Sequence, residues 1–149
     1  MRKYIGTKII HAEPANRVDG VICSVDAMAP TVATVEHGYK VVYPDGYESW
    51  SPKAVFEEAY RPTDGMNFGL AIEAAKNGAK IKRRGWNGKN QYVELATAIS
   101  YTAPDGNIVN AEHAAIGNAA FAFCGTSGVQ MGWLASQADM LADDWEIVE

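Results

Sequence analysis

MNFGLAIEAAKNGAKIKRRGWNG, residues 66–88, contains a complete helix-to-strand transition with both ends marked. Asn67 is of the residue class that caps a helix N-terminus, because its side-chain oxygen can accept a free backbone N–H. Phe68, Ala71, Ile72 and Ala75 follow the helical period, and Gly78 suits the C-terminal cap. Ala79–Arg84 then alternates as a short strand, with Ile81 and Arg83 on one side and Lys82 and Arg84 on the other. Gly85-Trp86-Asn87-Gly88 is a tight turn.

Downstream, Gln91–Thr97 reads as a second strand and Pro104-Asp105-Gly106 as a turn. Phe121–Cys124 and Val129–Leu134 read as paired strands around Gly125-Thr126-Ser127-Gly128. Ser136–Leu141 reads as a short helix, with Ser136 as N-cap and Asp139 as its capping-box partner. Asp144–Val148 closes the chain as a strand. The connections are too short for parallel crossovers, so the fold class is α+β: a small antiparallel sheet with one longer helix and short helices.

Upstream lies a small strand–hairpin–helix module. Tyr4–Ala12 is β-branched and reads as a strand, and Pro14–Pro30 as a long loop. In YKVVYPDGYESW, residues 39–50, Pro44-Asp45-Gly46 turns Tyr39–Tyr43 back on Tyr47–Trp50 as a hairpin. Ser51-Pro52 begins a helix over Pro52–Tyr60, with Val55, Phe56 and Ala59 on one side. Arg61–Gly65 stops it as a linker. Two domains are therefore expected, 1–65 and 66–149.

The 149 residues carry 13 Lys plus Arg, 18 Asp plus Glu and a net charge of −5, with 48% hydrophobic residues. This is a globular composition, and its acidity argues against a nucleic acid polymer as partner. No apolar run reaches membrane-spanning length and no secretory leader is evident, so no membrane association and a cytoplasmic location are expected. Charge is segregated. Lys76, Lys80, Lys82, Arg83, Arg84 and Lys89 form an acid-free basic strip, and residues 139–149 are acidic without a base. The two could solvate separately or face each other, within a protomer or across an interface.

Signatures of catalysis are missing: there is no GxSxG, GxxxxGK[ST], HExxH or CxxC. His11, His37 and His113 are isolated and read as surface residues. Cys124 reads as a small buried hydrophobe, and Cys23 as a free thiol. Asp139, Asp143 and Asp144 could form a carboxylate pair or bind a cation, but read first as a cap partner and a solvated end, and no metal or cofactor is expected. Four tryptophans, Trp50, Trp86, Trp133 and Trp145, sit beside turns. They fit either a core or a platform for stacking on nucleobases. Arg83 and Arg84 suit phosphate, and Asn87 and Gln137 supply amide donors.

Two stretches carry a resemblance: residues 66–88, as quoted, and WLASQADMLADDW, residues 133–145. The helix–Gly–basic strand–GWNG opening and the W-x-x-S-Q-x-D-x-L-A-x-D-W ending resemble a small phage and prophage family. Its members include the second class of Thoeris anti-defence proteins. The resemblance covers residues 66–149, with a poor match over Ile99–Ala120. It implies a non-catalytic sponge in the host cell cytoplasm. Such a protein sequesters cyclic ADP-ribose-type signals made by TIR-domain enzymes, and in some relatives cyclic dinucleotides. It also implies a homo-oligomer, expected here as a dimer of dimers, with pockets between protomers. Carried onto this chain, it points to Arg84, Trp86, Asn87, Trp133, Ser136, Gln137 and Asp139 as ligand-binding residues, and to Leu141 and Trp145 as core. The alternatives are a phage accessory protein that inhibits a host protein by direct contact and, with least support, a nucleotide-processing enzyme.

Overall fold

The computed structural model describes residues 1–3, 7–27, 34–97, 100–109 and 119–148. His113, residues 4–6 of the expected first strand, and much of the 99–120 segment lie outside the described residues. The chain divides into two compact units, Met1–Arg61 and Pro62–Glu149.

The first unit is a four-stranded antiparallel sheet in the order β2-β1-β3-β4, followed by a helix. Its strands are β1 (His11–Val18), β2 (Val21–Ser24), β3 (Val35–Val42) and β4 (Glu48–Pro52), and the helix is α1 (Lys53–Ala59). The expected loop at Pro14–Pro30 is therefore a β-hairpin through residue 24. Asp19 and Gly20 take φ of 49° and 85°, the left-handed pair that a two-residue hairpin turn requires. Pro14 is tolerated because β2 pairs with β1 only over Ala15–Val18. The 44–46 turn joins β3 to β4 as expected, pairing Lys40 with Trp50 and Val42 with Glu48. Ser51 does not cap α1: it is the penultimate residue of β4, and Pro52 stands at the N-cap without a side-chain hydrogen bond. Tyr39 stacks on Phe56 of α1 at 4.1 Å, and Phe56 on Tyr60 at 4.9 Å.

The second unit begins before residue 66. The Thr63 carbonyl accepts from Ile147 N–H at 3.0 Å, and Met66 exchanges two backbone hydrogen bonds with Trp145. Helix α2 (Phe68–Lys76) starts at Asn67, whose side chain accepts from Leu70 N–H at 3.0 Å. Strands β5 (Lys80–Arg83), β6 (Tyr92–Ala96), β9 (Ala120–Gly125), β10 (Gly128–Met131) and β11 (Trp145–Val148) form an antiparallel sheet in the order β10-β9-β6-β5-β11. A two-stranded pair, β7 (Tyr101–Thr102) and β8 (Ile108–Val109), flanks the 104–106 turn. The fold is α+β with antiparallel sheets, as the connection lengths require.

Alanines decide the packing. Ala71, Ala74 and Ala75 of α2 are buried against Ile81, Val93 and Trp145 of the sheet. Their small side chains let the helix approach closely enough to seal Trp145, which is fully buried. Helix α3 (Gln137–Met140) is four residues long, with the capping box between Ser136 and Asp139 in place. Leu141 does not join the core. It is 79% exposed, because so short a helix ends before its flank can turn inward. No helix among the described residues is long and apolar enough to cross a membrane.

Candidate functional site

The alternation of β5 sets the site. Arg83 pairs in register with Trp145 and Ile81 with Ile147, so both point to the helix-covered face. Lys82 and Arg84 point to the other. Arg83 donates from Nε to Asp144 Oδ1 at 2.8 Å and from Nη1 to Asp139 Oδ1 at 3.1 Å. It also reaches the Ala138 carbonyl at 3.3 Å. These charge-assisted bonds tie β5 to α3 and to the start of β11. They hold the Asp144 carboxyl below its usual range, chiefly through Arg83 and with help from Gly85 N–H. Burial pushes the Asp139 carboxyl up, but Ser136, Arg83 and Trp86 together outweigh it and leave it below its usual range.

Asp139 has little capacity left for a ligand. One oxygen takes Arg83 and a long 3.5 Å contact from Trp86 Nε1. The other takes Ser136 N–H at 3.0 Å and the Ser136 hydroxyl at 2.7 Å. Four donors fill the roughly four lone-pair directions of a carboxylate. The residue therefore holds the Trp86 indole in place, and the Asp139 carbonyl holds Trp145 Nε1 at 2.9 Å.

Three indoles meet edge to face around this point. Trp86 lies 5.5 Å from Trp145 and 6.1 Å from Trp133, and Trp133 lies 6.1 Å from Trp145. Phe123 closes the group at 5.5 Å from Trp86. Trp145 is sealed at the bottom, whereas Trp86 and Trp133 are half-buried and border an open cavity of about 390 Å³. That is within the range of small-molecule sites. Its wall is Trp86, Trp133 and Phe123 on one part, and Asn87, Gln91 and Asp139 on the other, with backbone from Gly85 and Gly88. Gly88 leaves room for a neighbour: a Cβ there would lie 1.8 Å from Gln91 Cδ, so the amide would have to move. The Gln91 amide thus folds over the turn. Such a wall presents flat apolar faces and amide donors and acceptors, which suits a planar heterocycle with polar edges.

Of the residues expected from sequence, Trp86, Asn87, Trp133 and Asp139 come together on this cavity. Ser136 stands behind Asp139, and Gln137 is exposed on α3 without lining the cavity. Arg84 does not line it either: it bonds the Asp64 carbonyl and lies 3.6 Å from Glu146 on the opposite face. The adjacent Arg83 is the arginine tied to the site, through Asp139. Sequence reasoning missed Gln91 and Phe123. The alternation of Phe121 and Phe123 in β9 was the available signal for the second. Among the described residues no group of three or more His, Cys, Asp or Glu could hold a metal. Cys124 is buried, and His11 and His37 are exposed.

Comparison with known proteins assigns this unit. The family model for the Thoeris anti-defense 2-like domain matches residues 66–148. A curated relative, Thoeris anti-defense 2 of Bacillus phage SP01, is 37% identical over 87 residues, covering 56% of this chain and 94% of the relative. Both motifs that carried the resemblance, and the whole cavity wall, fall within the matched span; residues 1–65 fall outside the family match. The chain belongs to the Thoeris anti-defense 2-like family.

Proposed function

We propose that the protein is a phage anti-defence sponge, which binds a cyclic nucleotide immune signal and withholds it without turnover. The observation that carries this reading is the pair of half-buried indoles, Trp86 and Trp133, bordering a cavity of about 390 Å³ with amides at its edge. Indole faces hold a base by stacking, and Asn87 and Gln91 read its polar edges. Among the described residues the only titratable side chain on the wall, Asp139, has both oxygens engaged by the protein. That favours holding a ligand over reacting with it, since a general base must be able to reach a substrate proton. The ligand class is cyclic ADP-ribose isomers, with cyclic dinucleotides as the second candidates, and the setting is the host cell cytoplasm.

The sponge is a homo-oligomer, a dimer of dimers. Supporting this, Leu134 and Leu141 flank the cavity-bearing α3 at 89% and 79% exposure, and Val129 is 65% exposed on β10. Large apolar side chains left in water favour association that covers them. The competing reading, direct inhibition of a host protein, would use the same apolar surface and would leave the cavity idle. A titration against cyclic ADP-ribose isomers and cyclic dinucleotides separates the two, because only the sponge binds them.

A further inference from the structure

Among the described residues the cavity wall contains two indoles, a phenyl ring, two amides and a carboxylate, but no cation. A cyclic nucleotide brings phosphates, so a cation of this chain that meets them has to stand at the rim. The basic strip has six candidates, and five of them have a partner of their own. Lys76 pairs with Glu73 at 2.8 Å. Lys80 lies over the Tyr92 ring at 4.6 Å. Lys82 and Arg84 share Glu146 at 3.2 and 3.6 Å, on the sheet face away from the cavity. Arg83 is neutralised by Asp139 and Asp144, and its side chain is only 21% exposed.

Lys89 is different. It is exposed and makes no ion pair or ring contact with another described residue. It sits between Gly88 and Gln91, both of which line the cavity. The loop that carries it turns tightly. Gln91 folds over Gly88, and Asn90 takes φ of 55°, a left-handed value that asparagine tolerates better than most residues. A lysine close in the chain to two residues of the cavity wall brings a flexible stem, three donors and a full positive charge.

We propose that Lys89 is the phosphate-contacting residue of this site, with the role that its basic neighbours Arg83 and Arg84 cannot take. The inference rests on the nucleotide-binding reading of the cavity. Asp139 on the same wall repels a phosphate placed deep, so the base enters between the indoles and the phosphate stays at the Lys89 rim.

The test is a calorimetric titration of parent, K89M and K89R with the cyclic ADP-ribose isomers and 3′,3′-cyclic GMP-AMP, at 50 mM and 500 mM salt. At low salt K89M should bind about 5- to 10-fold more weakly than the parent, and K89R within about twofold of it. The gap should shrink at high salt, because screening acts on the contact that K89M lacks. Thermal melting should be unchanged in all three. If the parent binds and K89M matches it at low salt with the same salt dependence, Lys89 is not the phosphate contact, although the cavity reading stands. If the parent binds none of these probes, the cavity reading itself is overturned, and this inference with it.

Discussion

Arg83 and Asp139 are 56 residues apart in sequence and 3.1 Å apart in space, and their contact joins the GWNG strand to the closing capped helix. One carboxylate thereby completes a capping box, neutralises a half-buried guanidinium and holds the Trp86 ring. Asp139→Ala should cost about 2–3 kcal/mol, combining a lost cap with a stranded cation. Thermal or urea unfolding checks this, and a cost below about 0.5 kcal/mol would mean that the network is ornamental.

Acid should act through the same pair. Asp139 and Asp144 both have folded-state pKa values depressed from 3.8. Their contribution is therefore fully present above that ordinary value, and is lost as pH falls below it through the depressed folded values. Stability of the parent should drop across that window. The double variant Asp139→Asn, Asp144→Asn should start lower at neutral pH and fall less steeply. Equilibrium unfolding between pH 2 and 6 tests this, and parallel slopes would contradict it.

The tryptophans should divide by role. Trp145→Ala removes a fully buried ring and should lower stability by about 3–5 kcal/mol. Trp86→Ala and Trp133→Ala should instead weaken nucleotide binding, each by about 1–3 kcal/mol, or roughly 5- to 150-fold. Circular dichroism must accompany the titrations. Folded variants that bind as tightly as the parent would make both rings structural.

Gly88→Ala probes the wall without touching the core. The added Cβ would strike the Gln91 side chain, whose far end is free to swing away. Melting should move by only a degree or two, while affinity falls several-fold as the amide leaves the cavity. A variant with unchanged affinity would remove Gln91 from the list of ligand contacts.

Assembly is testable separately. Light scattering should give a mass well above the 16.1 kDa protomer, and Leu134→Ser with Leu141→Ser should reduce it. A parent that stays at 16.1 kDa at micromolar concentration would contradict the dimer of dimers.

Local chemistry made much of this molecule legible in its sequence. Asn67 and the Ser136–Asp139 pair announced their caps, because a cap needs only residues three apart. The 44–46 turn announced its hairpin for the same reason. The hairpin at residues 11–24 was hidden by Pro14, which reads as a strand breaker until the register shows that β2 stops short of it. Arg83 and Arg84 present a difficulty of a different kind. Strand alternation separates the two, but only the pairing of Arg83 with Trp145 says which face holds the cavity. Leu141, assigned to the core by the resemblance, is exposed because α3 is too short to give its flank a buried face.

The proposed function requires that the Trp86–Trp133 cavity bind a cyclic nucleotide signal and keep it intact. The direct measurement is a binding titration against cyclic ADP-ribose isomers and cyclic dinucleotides, followed by heat denaturation and mass analysis of what is released. The expected result is saturable binding of at least one of them, weakened in Trp86→Ala, with the ligand recovered at its original mass. Failure to bind any of them, or a protein-dependent linear or hydrolysed product, would contradict it.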